Sequence, residues 1–257
     1  MNALDCLIAI PCYQESARLP SFLETLCAAV AAAPFSARIV VVDDGSGAPE
    51  AERTRELVAR AAAQWPGLLA APVLLPANLG KGGAVYAGWE SAEAASAALL
   101  CFVDADGSVP AAEVVRLVGE LLADRAERWQ ALFGSRVKLL GSRVERLPSR
   151  HYVGRVFATL VTLITGLTVY DSQCGLKVVR RPAYAAIAGE LTEHRFVFDV
   201  ELALRLLRRR FAIREVPIDW TEIPGSKVRL LRDSWRMATG LLRIRERLRA
   251  DGDHSNR

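Results

Sequence analysis

The amino-acid sequence predicts an α/β protein built on a mostly parallel central sheet flanked by helices. Three observations lead there. Short β-rich apolar runs alternate with longer helix-patterned stretches. The runs are apolar almost throughout, as strands covered on both faces must be. Four of them end in clusters of Asp, Asn, Gly and Lys, at the end of the strand where open sheets of this kind hold ligands.

Each element follows from its local pattern. CLIAIP (6–11) reads as a buried strand and 19–33 as a helix. RIVVVD (38–43) is a second strand, with a helix over 49–64. LAAPVLLP (69–76) is a weaker strand, 81–96 a helix and ALLCFVD (98–104) a strand. A helix over 111–123 and a strand at WQALFGS (129–135) complete the alternation. Beyond 224–226 one basic amphipathic helix is expected. Its stripe is Leu230, Ser234, Met237, Leu241, Ile244 and Leu248, with Arg232, Arg236, Arg243 and Arg247 on another face. The domain reading is a catalytic unit at 1–225, the C-terminal helix at 226–250 and a disordered polar tail at 251–257.

Composition sets the class. At 257 residues, 51% hydrophobic and 24% charged, the chain can bury a core, which excludes a disordered protein. The net charge is +4, but 205–250 carries 13 Lys/Arg against 5 Asp/Glu. Nucleic-acid binding has no motif behind it beyond this charge. The five cysteines lack any CxxC spacing and read as small buried hydrophobes of a reducing compartment. The N-terminal residues lack a basic n-region, so no secretory signal is expected. The uncharged run 156–170 is 15 residues, short of the roughly 20 that a span needs. It reads as a core helix or an element lying on a membrane surface.

The clusters suggest chemistry. Asp104-Ala105-Asp106 places two carboxylates on a turn leaving a strand, a donor set for Mg²⁺ or Mn²⁺ shared with substrate phosphates. The plainer reading is an Asx turn before Pro110. Asp43 and Asp44 offer acceptors to a nucleobase or ribose, or a helix cap. Asn78-Leu79-Gly80-Lys81-Gly82-Gly83 lets backbone approach a ligand beside a cation. It lacks P-loop spacing, and no GxGxxG follows the first strand.

Together IPCYQE, VVVDDGS, NLGKGGA and FVDADGS resemble family 2 glycosyltransferases of the GT-A (Rossmann-like) fold. Within them the resemblance is to polyprenyl-phosphate (dolichyl-phosphate) sugar synthases, the β-glucosyltransferase branch above all. It continues through Gly134-Ser135-Arg136, 171–177 (DSQCGLK) and 196–202 (FVFDVEL). Gln14 departs from the asparagine that many members carry. The resemblance implies that Pro11, Tyr13, Glu15, Asp43, Asp44, Lys81, Asp104, Ala105 and Asp106 hold the nucleotide-sugar. It implies a metal on Asp104 and Asp106, and places Asp199 where the family has its catalytic acid; Asp106 and Arg136 complete the catalytic set.

The acceptor decides what else is needed. A hydroxyl needs a base, for which Asp199 is the candidate. A lipid phosphate is already anionic and needs cations, which Arg136, Arg143, Arg150 and Arg155 would supply. Asp171, Gln173 and Lys177 would shape the acceptor side. The plainer reading of the basic segment is a solvated loop. The expected activity is inverting transfer of a hexose, glucose from UDP-glucose, to a polyprenyl phosphate. The expected place is peripheral, at the cytoplasmic face of a membrane, without a transmembrane span. Transfer to a glycolipid or saccharide hydroxyl, transfer from GDP-mannose, and a non-catalytic nucleotide-sugar scaffold stay open.

Overall fold

The computed structural model describes residues 4–139, 143–145, 148–223 and 230–254. Its centre is a seven-stranded sheet. The first four strands are β1 (Leu4–Cys12), β2 (Ala37–Asp43), β3 (Val73–Leu74) and β4 (Ala97–Val103). Helices α1 (Leu19–Ala31), α2 (Ala48–Gln64) and α3 (Lys81–Trp89) connect them, and α4 (Ala111–Ala123) leads to β5 (Ala131–Ser135). A two-residue strand β6 (Val144–Glu145) and α5 (Pro148–Thr165) precede β7 (Leu176–Arg180) and α6 (Arg181–Ala185). The remainder is α7 (Phe198–Arg208), β8 (Ile213–Pro217), β9 (Trp220–Thr221) and α8 (Leu230–His254).

The strand order is β3-β2-β1-β4-β7-β5-β8. All neighbours pair parallel except β7, which is antiparallel to β4 and β5. The chain moves from β1 towards β2 and later to β4 on the other side of β1, so a crevice opens between their carboxyl ends. The reversed β7 has a consequence for this edge. The loop that enters it, 171–175, comes up beside the ends of β4 and β5, and the Asp104 N–H donates to the Gly175 carbonyl at 3.0 Å.

Both faces of the sheet are dry, which explains the uninterrupted apolar runs. Leu7, Ala9, Val40, Val42, Leu100 and Phe102 face a core completed by α3, α7 and α8. Ile8, Ile10, Ile39, Val41, Leu99 and Cys101 face the other, covered by α1 and α4. All five cysteines are free and buried.

Three expectations change. The 69–76 strand shrinks to β3 and one isolated bridge from Leu69 to Ile39, because Pro72 and Pro76 interrupt the ladder at an edge. The helix expected to Ser96 ends at Trp89, after which a short 3₁₀ turn (Ala92–Ser96) leads into β4. The C-terminal helix, expected to end at 250, continues through His254. Leu241, Ile244 and Leu248 of the predicted stripe are buried and Met237 packs beside them. The basic face stays exposed but is partly engaged: Arg243 pairs with Glu193 at 3.0 Å and Arg247 donates to Thr192. The side chains of Arg232 and Arg236 lie outside the described residues.

Candidate active site

Three segments of the carboxyl edge are fastened to one another before any ligand is considered. Gln14 follows β1 in a left-handed conformation (φ 53°), and its N–H donates to the Ser46 hydroxyl at 2.8 Å. Asp43 accepts the Ser46 N–H at 2.8 Å. Asp44 accepts from the Leu79 N–H at 2.7 Å, the Gly80 N–H at 2.9 Å and the Asn78 side-chain amide at 2.9 Å. Asp44, expected among the nucleotide ligands, is thus the clamp that shapes the glycine loop. Burial raises its pKa, partly opposed by those backbone donors. Tyr13 and Pro11 border the crevice, Tyr13 being exposed, while Glu15 forms a two-pronged bond to Arg18 at 2.6 and 2.7 Å.

The glycine loop in turn packs against the segment that carries Asp199. A Cβ on Gly80 would lie 2.7 Å from the His194 carbonyl, and one on Gly82 would lie 2.5 Å from Phe198. The Gly83 N–H donates to the same carbonyl at 3.0 Å. These glycines therefore let the loop and α3 pack closely against 194–198.

Lys81 leads out of this loop and places its ammonium 2.7 Å from the Asp104 carboxylate. Burial would push the Lys81 pKa down; Asp104 and Asp199 more than offset it and hold it above its ordinary value. Asp106 accepts the Ser108 N–H at 2.9 Å, the Asx turn expected of this sequence, with Ala105 buried between the two carboxylates. Gly175 sits directly against the turn. A Cβ there would lie 2.1 Å from Asp104 Oδ2, so only glycine leaves the carboxylate its place.

Behind Lys81 lies a second ion pair. Lys177 Nζ is 2.8 Å from Asp199 Oδ1, with the side chains 0% and 2% exposed. The ammonium also donates to the Cys174 carbonyl at 2.8 Å and lies over the Phe102 and Phe133 rings. Lys177 was expected on the acceptor side; buried under the site, it is instead the counter-ion of Asp199. Burial raises the Asp199 pKa, and Lys177 and Lys81 offset only part of that.

On the other flank Arg136 engages Asp171 through Nε and Nη2, each at 2.7 Å, and its backbone N–H donates to the same carboxylate at 2.9 Å. Its guanidinium also faces the Trp220 ring at 5.6 Å. Burial would raise the Asp171 pKa, but Arg136 overcomes this and holds it well below the carboxylate range. Gln173 reaches the Phe196 carbonyl at 2.5 Å. Arg155 is exposed and stacks over Tyr170 at 5.4 Å. Arg143 is exposed on the two-stranded β6–β9 sheet, and Thr221 of β9 donates to the Ser108 carbonyl at 3.0 Å, next to the Asp106 turn. The Arg150 side chain lies outside the described residues.

Sequence reasoning missed Gly175, Glu215 and Arg18. Glu215 accepts the Tyr170 and Asp171 N–H groups at 2.9 and 2.8 Å and so fixes the Arg136 partner. Arg18, besides bonding Glu15, feels the Asp106 charge. Gly175 lies within the 171–177 motif that carries the resemblance but was given no role of its own, and Glu215 and Arg18 have no sequence signal beyond residue type.

Comparison with known proteins agrees with this geometry. The family described as Glycosyl transferase family 2 matches residues 7–187. A dolichyl-phosphate beta-glucosyltransferase of Trichomonas vaginalis is 31% identical over 228 residues, covering 86% of this chain and 65% of that protein. A dolichyl-phosphate beta-glucosyltransferase of Drosophila melanogaster is 32% identical over 236 residues, covering 88% and 70%. The chain thus spans about two thirds of the length of these relatives. Among solved structures, glucosyl-3-phosphoglycerate synthase of Mycobacterium tuberculosis in complex with Mn²⁺, UDP and glucosyl-3-phosphoglycerate superposes with a TM-score of 0.65 at 18% identity. The match covers 94% of this chain and 78% of that one, a likeness of fold. With the sheet order, the aspartate turn and the matched residues in agreement, this chain is a member of glycosyl transferase family 2, with the GT-A fold.

Proposed function

We propose that the protein transfers glucose, with inversion, from UDP-glucose to a polyprenyl or dolichyl phosphate at a membrane surface. The observation that carries this reading is the gathering of Asp104, Asp106 and Lys81 at the sheet's carboxyl edge, with Arg136 at the end of β5, two strands along. The names of the relatives support the donor sugar and the acceptor.

Asp104 and Asp106 are the residues that would hold a divalent cation, Mg²⁺ or Mn²⁺. The donor set fits: two hard carboxylates at a turn, with no group of three or more His, Cys, Asp or Glu among the described residues to form an all-protein cage. Such a site leaves coordination positions for a diphosphate. When bound, the ion neutralises charge on the leaving nucleotide. The chain's own residues do the rest. The Asp44-clamped loop presents Lys81 to the donor, and Pro11, Tyr13, Glu15 and Asp43 line the nucleoside side.

A phosphate acceptor is favoured over a hydroxyl by the state of Asp199. The base that a hydroxyl would need is buried and held by Lys177. An anionic phosphate attacks without a base and needs charge compensation, for which the exposed Arg143 and Arg155 are available, with Arg150 expected beside them, whereas the Arg136 guanidinium is already paired with Asp171. One displacement from the far face of the sugar then converts an α-linked donor to a β-linked product.

The membrane part of the reading rests on α5. Val156, Leu160 and Leu163, at i, i+4 and i+7, form an exposed apolar stripe, and Tyr170 is exposed beyond it beside Arg155. No helix among the described residues is long and apolar enough to cross a membrane. The proposed attachment is peripheral, at the cytoplasmic face.

The test is a panel of UDP-glucose, UDP-galactose and GDP-mannose with a short polyprenyl phosphate and Mg²⁺ or Mn²⁺, the lipid product read by mass. A hexosyl-phosphoryl lipid from UDP-glucose is expected. Product only from GDP-mannose would reassign the donor, and nucleotide bound tightly without turnover would indicate a binding scaffold.

A further inference from the structure

The carboxylate that is to hold the metal already holds a cation of its own. Lys81 Nζ lies 2.7 Å from Asp104 Oδ1, and its ammonium is also close enough to Asp199 to feel that charge. The ammonium lies 5.3 Å from the Phe102 ring centroid, and the same ring faces Lys177 on its way to Asp199. Lys81, Asp104, Lys177 and Asp199 therefore form a compact cluster of two cations and two carboxylates, balanced in charge. Lys177 is fully buried with its ammonium spent on Asp199 and the Cys174 carbonyl, so it is held in place. Lys81 is different: its side chain is 21% exposed and Asp104 is 32% exposed, so this pair borders the crevice.

We infer that Lys81 is a positioning residue that occupies Asp104 in place of a divalent cation until the donor diphosphate arrives, making binding of the metal and of the nucleoside diphosphate mutually dependent. Two positive groups cannot share the Asp104 carboxylate at low cost. A metal arriving alone must displace an ammonium that has no other anion free, since Asp199 is already paired with Lys177. A diphosphate provides that anion. It takes the ammonium, and Asp104 is released to the metal that the same diphosphate brings. The flexible stem and point charge of lysine suit such an exchange better than an arginine fork. The inference rests on the donor-site reading above and adds the order in which its parts assemble. Thermodynamic reciprocity then requires the nucleotide and the metal to strengthen each other by the same factor.

The test uses the full chain and binding alone. Mn²⁺ is titrated by the loss of its free electron paramagnetic resonance signal, with and without UDP, on the native protein, Lys81→Met and Lys81→Arg. Methionine keeps the stem and helix propensity at this position, and thermal unfolding checks that each variant is folded. For the native protein, UDP is expected to tighten Mn²⁺ by at least about 10-fold, within the range usual for coupled sites. In Lys81→Met, Mn²⁺ alone is expected to bind several-fold tighter than to the native protein, and its gain from UDP to shrink several-fold, leaving the part that direct coordination by the diphosphate supplies. Lys81→Arg is expected to keep Mn²⁺ alone weak. Equal affinity of the native protein and a folded Lys81→Met for Mn²⁺ alone overturns the exchange while leaving the donor site standing. Absence of Mn²⁺ binding to the native protein even with UDP overturns the donor-site reading and the inference with it.

Discussion

The Lys177 ammonium and the Asp199 carboxylate stand 2.8 Å apart in the interior, joining β7 to the first turn of α7 beneath the proposed donor site. Both charges are buried and bonded to one another. The pair sets the floor of the site, and Lys81 and Asp104 form its exposed upper layer.

Breaking the buried pair from one side is expected to be severe. Lys177→Met leaves the Asp199 carboxyl buried without its counter-ion, at a cost of about 3–5 kcal/mol, whereas replacing both partners with apolar residues recovers most of it. Urea unfolding of Lys177→Met and of Lys177→Met with Asp199→Leu measures the difference. Equal destabilisation in both would mean that packing, not the charge, is what the lysine contributes.

Gly175→Ala separates site geometry from stability. The added methyl meets the free end of the Asp104 side chain, which can swing away, and not rigid backbone. The unfolding midpoint should therefore change little. Displacement of one ligand carboxylate by about 1 Å is expected to cost on the order of 100-fold in kcat/KM, as misplacements of that size do. Mn²⁺-dependent UDP binding, read by calorimetry, should weaken in parallel.

The Arg136–Asp171 pair predicts an acid dependence. Burial alone would raise the Asp171 pKa, but Arg136 holds it below the ordinary value. Its stabilisation is complete above the unfolded pKa of about 3.9 and is lost as pH falls through the lower folded value. Asp171→Asn, which leaves Arg136 buried and unpaired, is expected to cost about 2–4 kcal/mol above pH 5. The gap to the native protein should narrow as pH drops below about 4. Urea titrations between pH 3 and 7 provide the curve; a gap independent of pH would contradict it.

The exposed stripe of α5 predicts lipid binding. Val156 and Leu163 are 62% and 74% exposed, so charge placed there does not touch the core. Val156→Glu with Leu163→Glu is expected to reduce co-sedimentation with anionic vesicles several-fold while UDP binding stays unchanged. Undiminished sedimentation would move the membrane contact elsewhere.

Gln14 adopts a positive φ of 53°, a conformation that asparagine enters more readily. Gln14→Asn is expected to raise stability by a few tenths to about 1 kcal/mol, measured as a shift in the urea midpoint.

The sequence alone determined where the strands end and which polar clusters follow them. An apolar run stopping at Asp43, at Asp104 or at Arg136 is a local signal, and a parallel sheet brings such ends to one edge. It also marked the C-terminal stripe, since Leu241, Ile244 and Leu248 share one side of any helix. Partners and directions were decided only by the tertiary structure. Periodicity carries no strand direction, so the reversal of β7, which lifts 171–175 to the site, left no trace in the pattern. Lys177 on a strand looks the same whether it faces water or a buried Asp199 contributed by a later helix. Asp44 offered itself equally as a ligand or a clamp, and the choice fell to three donors of a loop more than thirty residues away. Hydrophobic patterning is written residue by residue, whereas the pairing of charges depends on distances that only the folded chain creates.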